Sequence, residues 1–306
     1  MRSNDRTDRA GERWRRGVAL GSLGMLAFSG TLPATRLAVP AFGPTVLTCS
    51  RIVIAAILGI ILLACRRGDR LPRRGHLPGI VWTGLGLAVG YPFFLALAME
   101  RVPSAHGAVV VGLAPAATAV LAVLRTGERP RLPFWLGCSA GTLAVVMFAI
   151  TEGGGRLELA DGWLVAAMLS VGVAYVEGGR VSRELGGSVT LCWAMIFLSP
   201  FAAALLLASA QGLDFEAISP GAWAGFLYAG VISMFLGSIA WYQGLADGGI
   251  ARISQLNLVL PIVALLWSGL LLGERITWPF VATAAAVLAS MAVCVRSRVP
   301  AASSSS

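Results

Sequence analysis

Apolar residues along this chain neither alternate nor recur at the spacing of a one-sided amphipathic helix. They come in runs of about 20, separated by short stretches that gather Arg, Gly and Pro. A helix needs about 20 residues to cross the roughly 30 Å hydrocarbon core of a bilayer. Cutting at the charges and Gly/Pro clusters gives ten such spans, over residues 17–36, 43–65, 78–99, 104–124, 132–150, 162–182, 188–209, 221–244, 252–273 and 277–295. The pattern predicts an all-α polytopic membrane protein.

The pattern is also written twice. A shift of 146 positions, without a gap, carries Pro115 onto Pro261, Leu124 onto Leu270, Gly127-Glu128-Arg129 onto Gly273-Glu274-Arg275, and Pro133-Phe134 onto Pro279-Phe280. Each copy reads as an apolar helix with an internal proline, a Gly-Glu-Arg corner, and a second apolar helix opening at Pro-Phe. Five spans fall in each copy, residues 17–151 and 161–296, between a polar 1–16 tail and a Ser-rich 297–306 tail expected to be disordered. An odd number of spans per copy sends the second copy into the membrane from the other side. The expected architecture is therefore two inverted five-helix repeats with a site between them.

Composition strengthens this reading. At 57% hydrophobic and 13% charged residues, with a mean hydropathy of +0.77, the chain lacks the polar surface that a soluble protein of its length shows to water. Its net charge of +9 comes wholly from arginine. In a soluble protein such a charge would suggest nucleic acid, but here the arginines sit in short loops between apolar runs, where they set topology. Nineteen of the 24 fall in the N-terminal tail, the C-terminal tail and alternate loops, against four in the other loops and Arg51 inside a span. That asymmetry predicts both termini in the cytoplasm and insertion in the cytoplasmic membrane.

Five scattered cysteines, two histidines and no CxxC or Cys/His cluster give no disulfide framework, no metal site and no cofactor motif. The expected partners are a small-molecule substrate and the lipid bilayer, with no nucleic acid. The Gly pairs at 17/21, 86/90, 137/141, 221/225 and 269/273 mark close-packing faces. A homodimer through one of them is left open.

The central proline followed by Gly-Glu-Arg, repeated, together with Arg51 in the second span, resembles the drug/metabolite transporter superfamily and its EamA-type members over residues 17–296. The resemblance implies a secondary carrier for small organic solutes, often amino acids or related metabolites and often exporting them. It also implies a cavity lined by the first, third, fourth, sixth, eighth and ninth spans.

Candidate substrate-binding residues follow from helical faces. In the ninth span Ser254, Asn257, Pro261 and Ser268 form a polar stripe, and a proline within a span frees a carbonyl that is tolerated at depth only under protein or beside a wet cavity. The alternative is interhelical glue. The matching face around Pro115 is small and dry, so polar recognition is expected on the second copy. Ser238 and Trp241, with Tyr242, share a face of the eighth span, and Tyr91 lies on the third; such aromatic walls suit an amphipathic or cationic solute, or else belong to the interfacial belt. Glu177, on one face of the sixth span with Ser170, is the candidate for proton coupling or for holding a cation; pairing with Arg180 at i+3 is the bland alternative.

Arg51 lies about two turns below the outer surface, where it either holds an anionic substrate group or, as the resemblance favours, locks helix ends together. By helical rise Glu177 sits about 10 Å deeper, so no direct bridge between the two is expected. His106 reads as an interface residue. Glu128, Arg129, Glu274 and Arg275 read as structural corner residues that cap helix ends and neutralise each other. Two rival functions remain. An intramembrane enzyme would need a nucleophile and base, or metal ligands, at matched depth, and a passive channel would need a continuous polar stripe; neither pattern is present.

Overall fold

Long runs of Leu, Ala, Val and Ile that bury their own backbone polar groups leave the helix as the available structure in lipid. The computed structural model describes residues 2–66, 71–114, 117, 118, 120, 121, 124, 132–152, 158–248, 256, 257 and 259–296, and these are helical nearly throughout, with no strand among them. In chain order the helices are α1 (Arg2–Ser29), α2 (Thr31–Cys65), α3 (Leu77–Gly84), α4 (Tyr91–Met99), α5 (Ser104–Val111), α6 (Leu132–Glu152), α7 (Leu159–Leu185), α8 (Gly187–Ser209), α9 (Pro220–Leu227), α10 (Ser238–Gly248), α11 (Leu260–Leu272) and α12 (Trp278–Arg296).

Two continuous rods are built from pieces. A π-helical stretch, Leu85–Gly90, joins α3 to α4, and another, Tyr228–Gly237, joins α9 to α10. The 146-residue shift carries the first onto residues 231–236, inside the second. The duplication therefore extends to a local departure from regular helix, of the kind that often marks functional helices.

The first break in the chain differs from the sequence expectation of a loop near residues 37–42. Helix continues from Thr31 through that segment and breaks at Gly43, whose φ of 69° and ψ of 163° lie outside the helical region. The first part of this rod has a continuous partner. Residues 21–34 lie antiparallel along residues 225–244 without interruption: Gly21 meets Gly244, Gly24 meets Trp241, Ala27 meets Gly237, Thr31 meets Ser233 and Ala34 meets Gly225.

The rods of the first copy pack chiefly on those of the second. α1 lies on α10, α4 with α3 on α7, α2 on α8, α6 on α12 and α5 on α11. Under the 146-residue shift, α1 on α10 and α7 on the α3–α4 rod are images of one another, and both pairs are antiparallel. The small residues make this possible: a Cβ at Gly86 would run into the Ser170 carbonyl and the Ala174 methyl, and one at Gly90 would meet the Ser170 side chain 2.5–2.8 Å away.

Five helical stretches among the described residues are long and apolar enough to cross a membrane: Trp14–Cys65, broken at Gly43, then Arg74–Met99, Leu159–Ser182, Gly187–Ser209 and Pro220–Gly244. Shorter apolar helices cover Leu132–Phe148, Leu260–Leu272 and Trp278–Ser290. Large apolar side chains such as Ile57, Ile61, Phe201, Leu207 and Leu270 face outward. In water that band would be a severe liability; in lipid it is the expected surface.

Gly86→Val is expected to destabilise the protein by roughly 1–3 kcal/mol through overpacking, read as a lower melting temperature in detergent. Gly179→Ala, with nothing within 4 Å of its Cβ position, should leave the melting temperature unchanged.

Candidate functional site

The Gly-Glu-Arg corner at residues 273–275 shows what the repeated motif does. Gly273 takes a left-handed conformation (φ 65°, ψ 20°) and closes α11, with its N–H on the Gly269 carbonyl and the Glu274 N–H on the Ser268 carbonyl. A side chain with a Cβ would resist that conformation. The turn aims Glu274 at the start of α5, where its carboxylate accepts the backbone N–H groups of Ser104 (2.9 Å) and Ala105 (2.8 Å) and the Ser104 hydroxyl (3.2 Å). Free N–H groups and the positive end of a helix favour a carboxylate there. The cap thus comes from the other copy, 170 residues away. Ser104 Oγ also lies 2.6 Å from Ser268 Oγ, joining the same two helices a turn deeper.

Further polar contacts close this Glu274 end. His106 Nε2 lies 2.7 Å from Asp161 Oδ1, both side chains buried, and Asp161 Oδ2 accepts the Glu158 N–H that opens α7. Arg36 donates to the Met99 carbonyl, and the Arg101 guanidinium sits 5.0 Å from the centre of the Trp163 ring. The His106–Asp161 pair was not legible in the sequence, where His106 reads as an interface residue. The two are 55 positions apart in different copies, and neither periodicity nor spacing links them.

The opposite end has its own set. Arg180 lies 3.1 Å from Glu177, and Arg16 lies 3.5 Å from Asp247, whose Oδ2 also accepts from Gln243. His76 accepts the Arg73 N–H on Nδ1, which leaves the Nε2 proton for Glu184 at 2.8 Å. That bond is the main cause holding the Glu184 carboxyl below its ordinary value of 4.5.

Between the two ends lies a group of tyrosines and one arginine. Arg51 is 3% exposed, its Nε is buried without a hydrogen-bond partner, and Tyr91 is the titratable group within its electrostatic reach. Tyr175 is within reach of both Tyr91 and Tyr242. The buried Tyr242 hydroxyl, also without a partner, lies about the Cβ position of Gly178 with the Thr83 hydroxyl beside it. Ser170 donates to the Ala166 carbonyl and packs on Gly90, the residue before Tyr91.

The other residues singled out in the sequence fall differently. Trp241 is buried on α1, with its ring edge-on to Phe28 at 6.0 Å, and Ser238 is buried one turn before it. Pro261 packs against the Gly112 position at the end of α5, and Ser268 is spent on Ser104. Asn257 is half-buried, with its Oδ1 unpartnered among the described residues. Arg275 is exposed. Pro115, Glu128, Arg129 and Ser254 lie outside the described residues. A groove of about 310 Å³ between α6 and α12, lined by Ala144, Met147, Phe148, Thr151 and Ala286 among others, carries no charged side chain and lies away from Arg51.

A model of the EamA-like transporter family matches residues 15–150 and again 158–296, once over each copy of the duplication. The chain belongs to the EamA-like transporter family. It is a multi-pass membrane protein and a transporter by family. This transporter is 40% identical over 277 residues to an uncharacterized transporter of Bacillus subtilis, covering 90% of this chain and 96% of that one. It is 25% identical over 252 residues to a probable terminal-alkyne amino-acid exporter of Streptantibioticus cattleyicolor, covering 82% and 84%. A solved crystal structure superposes with a TM-score of 0.62 at 20% identity, over 90% of this chain and 95% of that one, which speaks for the fold.

Glu274→Ala strips acceptors from two N–H groups and a hydroxyl at a part-buried helix start. We expect it to destabilise the transporter by about 1–3 kcal/mol, more than Glu274→Gln, which keeps one acceptor oxygen; thermal melts of the two variants decide this. The Glu184 latch has a defined sign in pH. Its folded-state carboxyl lies below 4.5, so its contribution is complete above that value and fades as pH falls through the lowered one. The melting-temperature difference between wild type and Glu184→Gln should be constant near neutrality and vanish in acid; a difference independent of pH would dismiss the latch.

Proposed function

We propose that this EamA-like transporter is a secondary carrier that exports a small organic metabolite, an amino acid or a related amine or drug-like solute, across the cytoplasmic membrane. The proposed architecture is ten membrane spans in two inverted five-helix repeats, residues 17–151 and 161–296. Both termini are then cytoplasmic, as the arginine distribution favours. On that topology the Glu274 end faces outward and the His76–Glu184 end inward.

The observation that carries the reading is the closure at the Glu274 end. Its Ser104–Ser268 bond and its Glu274 cap join one repeat to the other, not neighbours within a repeat. Hydrogen bonds of this kind open by rigid movement of one repeat against the other while each helix stays intact, and that is what alternating access requires. The relative that is a probable amino-acid exporter supports the substrate class and the direction. A passive channel would gain nothing from a closure shared between repeats, and an enzyme would need reacting groups at one depth.

Asn257, Ser254, Ser238, Trp241, Tyr91, Ser170 and Glu177 remain the proposed substrate-facing set. Asn257, with a free amide oxygen, is its first polar member. Glu177, beside Arg180, is the proposed proton-coupling acid.

Counterflow in proteoliposomes tests the carrier. Vesicles loaded with individual amino acids and small amines should take up the labelled form saturably and transiently above equilibrium. Flux that never saturates, or the absence of counterflow across the panel, contradicts a carrier of this class. In the same assay Glu177→Gln should flatten the pH dependence; an unaltered pH profile would remove Glu177 from coupling.

A further inference from the structure

We infer that Arg51 is an anion-binding residue between the two copies, and that the transported solute presents a carboxylate to it. The inference rests on the carrier reading and narrows it, setting aside amines that lack an acid group.

The first observation is an unanswered charge. Arg51 lies in α2, about 12 Å along the helix from its break at Gly43, and is 3% exposed. A buried guanidinium carries a desolvation penalty of several kcal/mol unless something answers it. Among the described residues Arg51 makes no ion pair, and its Nε is buried without an acceptor. Of the buried carboxylates, Asp161 pairs with His106 and Glu177 lies beside Arg180, while the half-buried Glu274 caps the start of α5. A structural lock between helix ends would need a carbonyl or carboxylate on the guanidinium. Among the described residues Nε finds none, so the lock reading has no partner there.

The second observation is the surrounding chemistry. Tyr91 and Arg51 come from the first copy; Tyr175 and Tyr242, which continue the tyrosine series, come from the second. Arg51 therefore stands where the two copies meet. By helical rise Tyr91, like Arg51, is about 12 Å from the Glu274 end, Tyr175 about 24 Å and Tyr242 about 30 Å. The series runs from the guanidinium toward the His76–Glu184 end, where it finishes on the unpartnered Tyr242 hydroxyl. Hydroxyls on aromatic walls give an amphipathic solute donors and apolar contact together. The guanidinium fork matches a carboxylate through two parallel N–H···O bonds. A carboxylate bound there supplies the missing counter-charge, and its departure restores the penalty, so the site binds without trapping its solute.

Thermal stability of the purified transporter in detergent tests the site without transport. Wild type, Arg51→Met and Arg51→Lys are titrated with amino acids, with the matching carboxamides, and with sodium chloride or phosphate at equal ionic strength. At least one amino acid should raise the wild-type melting temperature while its carboxamide does not. Arg51→Met should lose that response, and Arg51→Lys should shift its midpoint by about tenfold or more. If Arg51→Met does not fold, Arg51→Lys alone decides. The inference is overturned by any of three results: no amino acid stabilising wild type, acid and carboxamide stabilising equally, or Arg51→Lys binding as wild type does. Stabilisation by inorganic anions alone would overturn it as well, as an anion site that is not the solute's. The carrier reading fails separately. An Arg51-dependent shift without counterflow removes transport of these solutes and keeps the site, whereas carboxamides exchanging as fast as acids keep the carrier and remove the site.

Discussion

Inside a bilayer, a polar group that separates from its partner finds no water to replace it. The cap on α5 shows how strongly this constrains the fold. A helix that starts within the protein leaves N–H groups open, and here a carboxylate from the other copy takes two of them together with a hydroxyl. The corner that delivers it needs Gly273 for its left-handed turn and Glu274 for its charge. The same logic buries His106 on Asp161 and sends Arg36 to the Met99 carbonyl. Each of these bonds spans distant parts of the chain, so the polar groups that lipid would punish become the fasteners between helices.

Against that background Arg51 stands out as the charged side chain among the few buried groups with an unpartnered atom, and exceptions to polar satisfaction tend to coincide with function. Its neighbours are not random. Two of the rods packed on α2 carry π-helical stretches at equivalent positions of the two copies, residues 85–90 and 228–237. A π turn displaces the side chains that follow it, and in the first copy the residue that follows is Tyr91, the neighbour of Arg51. In the second the residues that follow lead to Trp241, seated on α1, and Tyr242, facing Gly178. Duplication supplied one frame twice, and the side chains placed on it then diverged.

Much of the frame was legible because lipid imposes long uniform runs and because a duplication is visible without knowledge of packing. Gly86 and Gly90 announced a close approach, and α7 makes it. Glu274 read as a capping residue, yet which helix it caps depends on a contact across 170 positions, which no periodicity carries. For the same reason His106 read as an interface residue, and Tyr175 did not stand out at all. The break between the first two spans was placed early because Pro40 and Gly43-Pro44 compete as helix terminators in sequence. The backbone leaves the helix at Gly43 and passes through Pro40.

The central claim is that the two copies move against each other at the Glu274 end, and cross-linking Ser104 to Ser268 tests it most directly. Their hydroxyl oxygens are 2.6 Å apart, so Ser104→Cys with Ser268→Cys, in a background whose native cysteines are replaced by Ser or Ala, should form a disulfide across the closure. The account predicts that oxidation abolishes counterflow and that dithiothreitol restores it. Exchange continuing at the reduced rate while the disulfide is intact would contradict it.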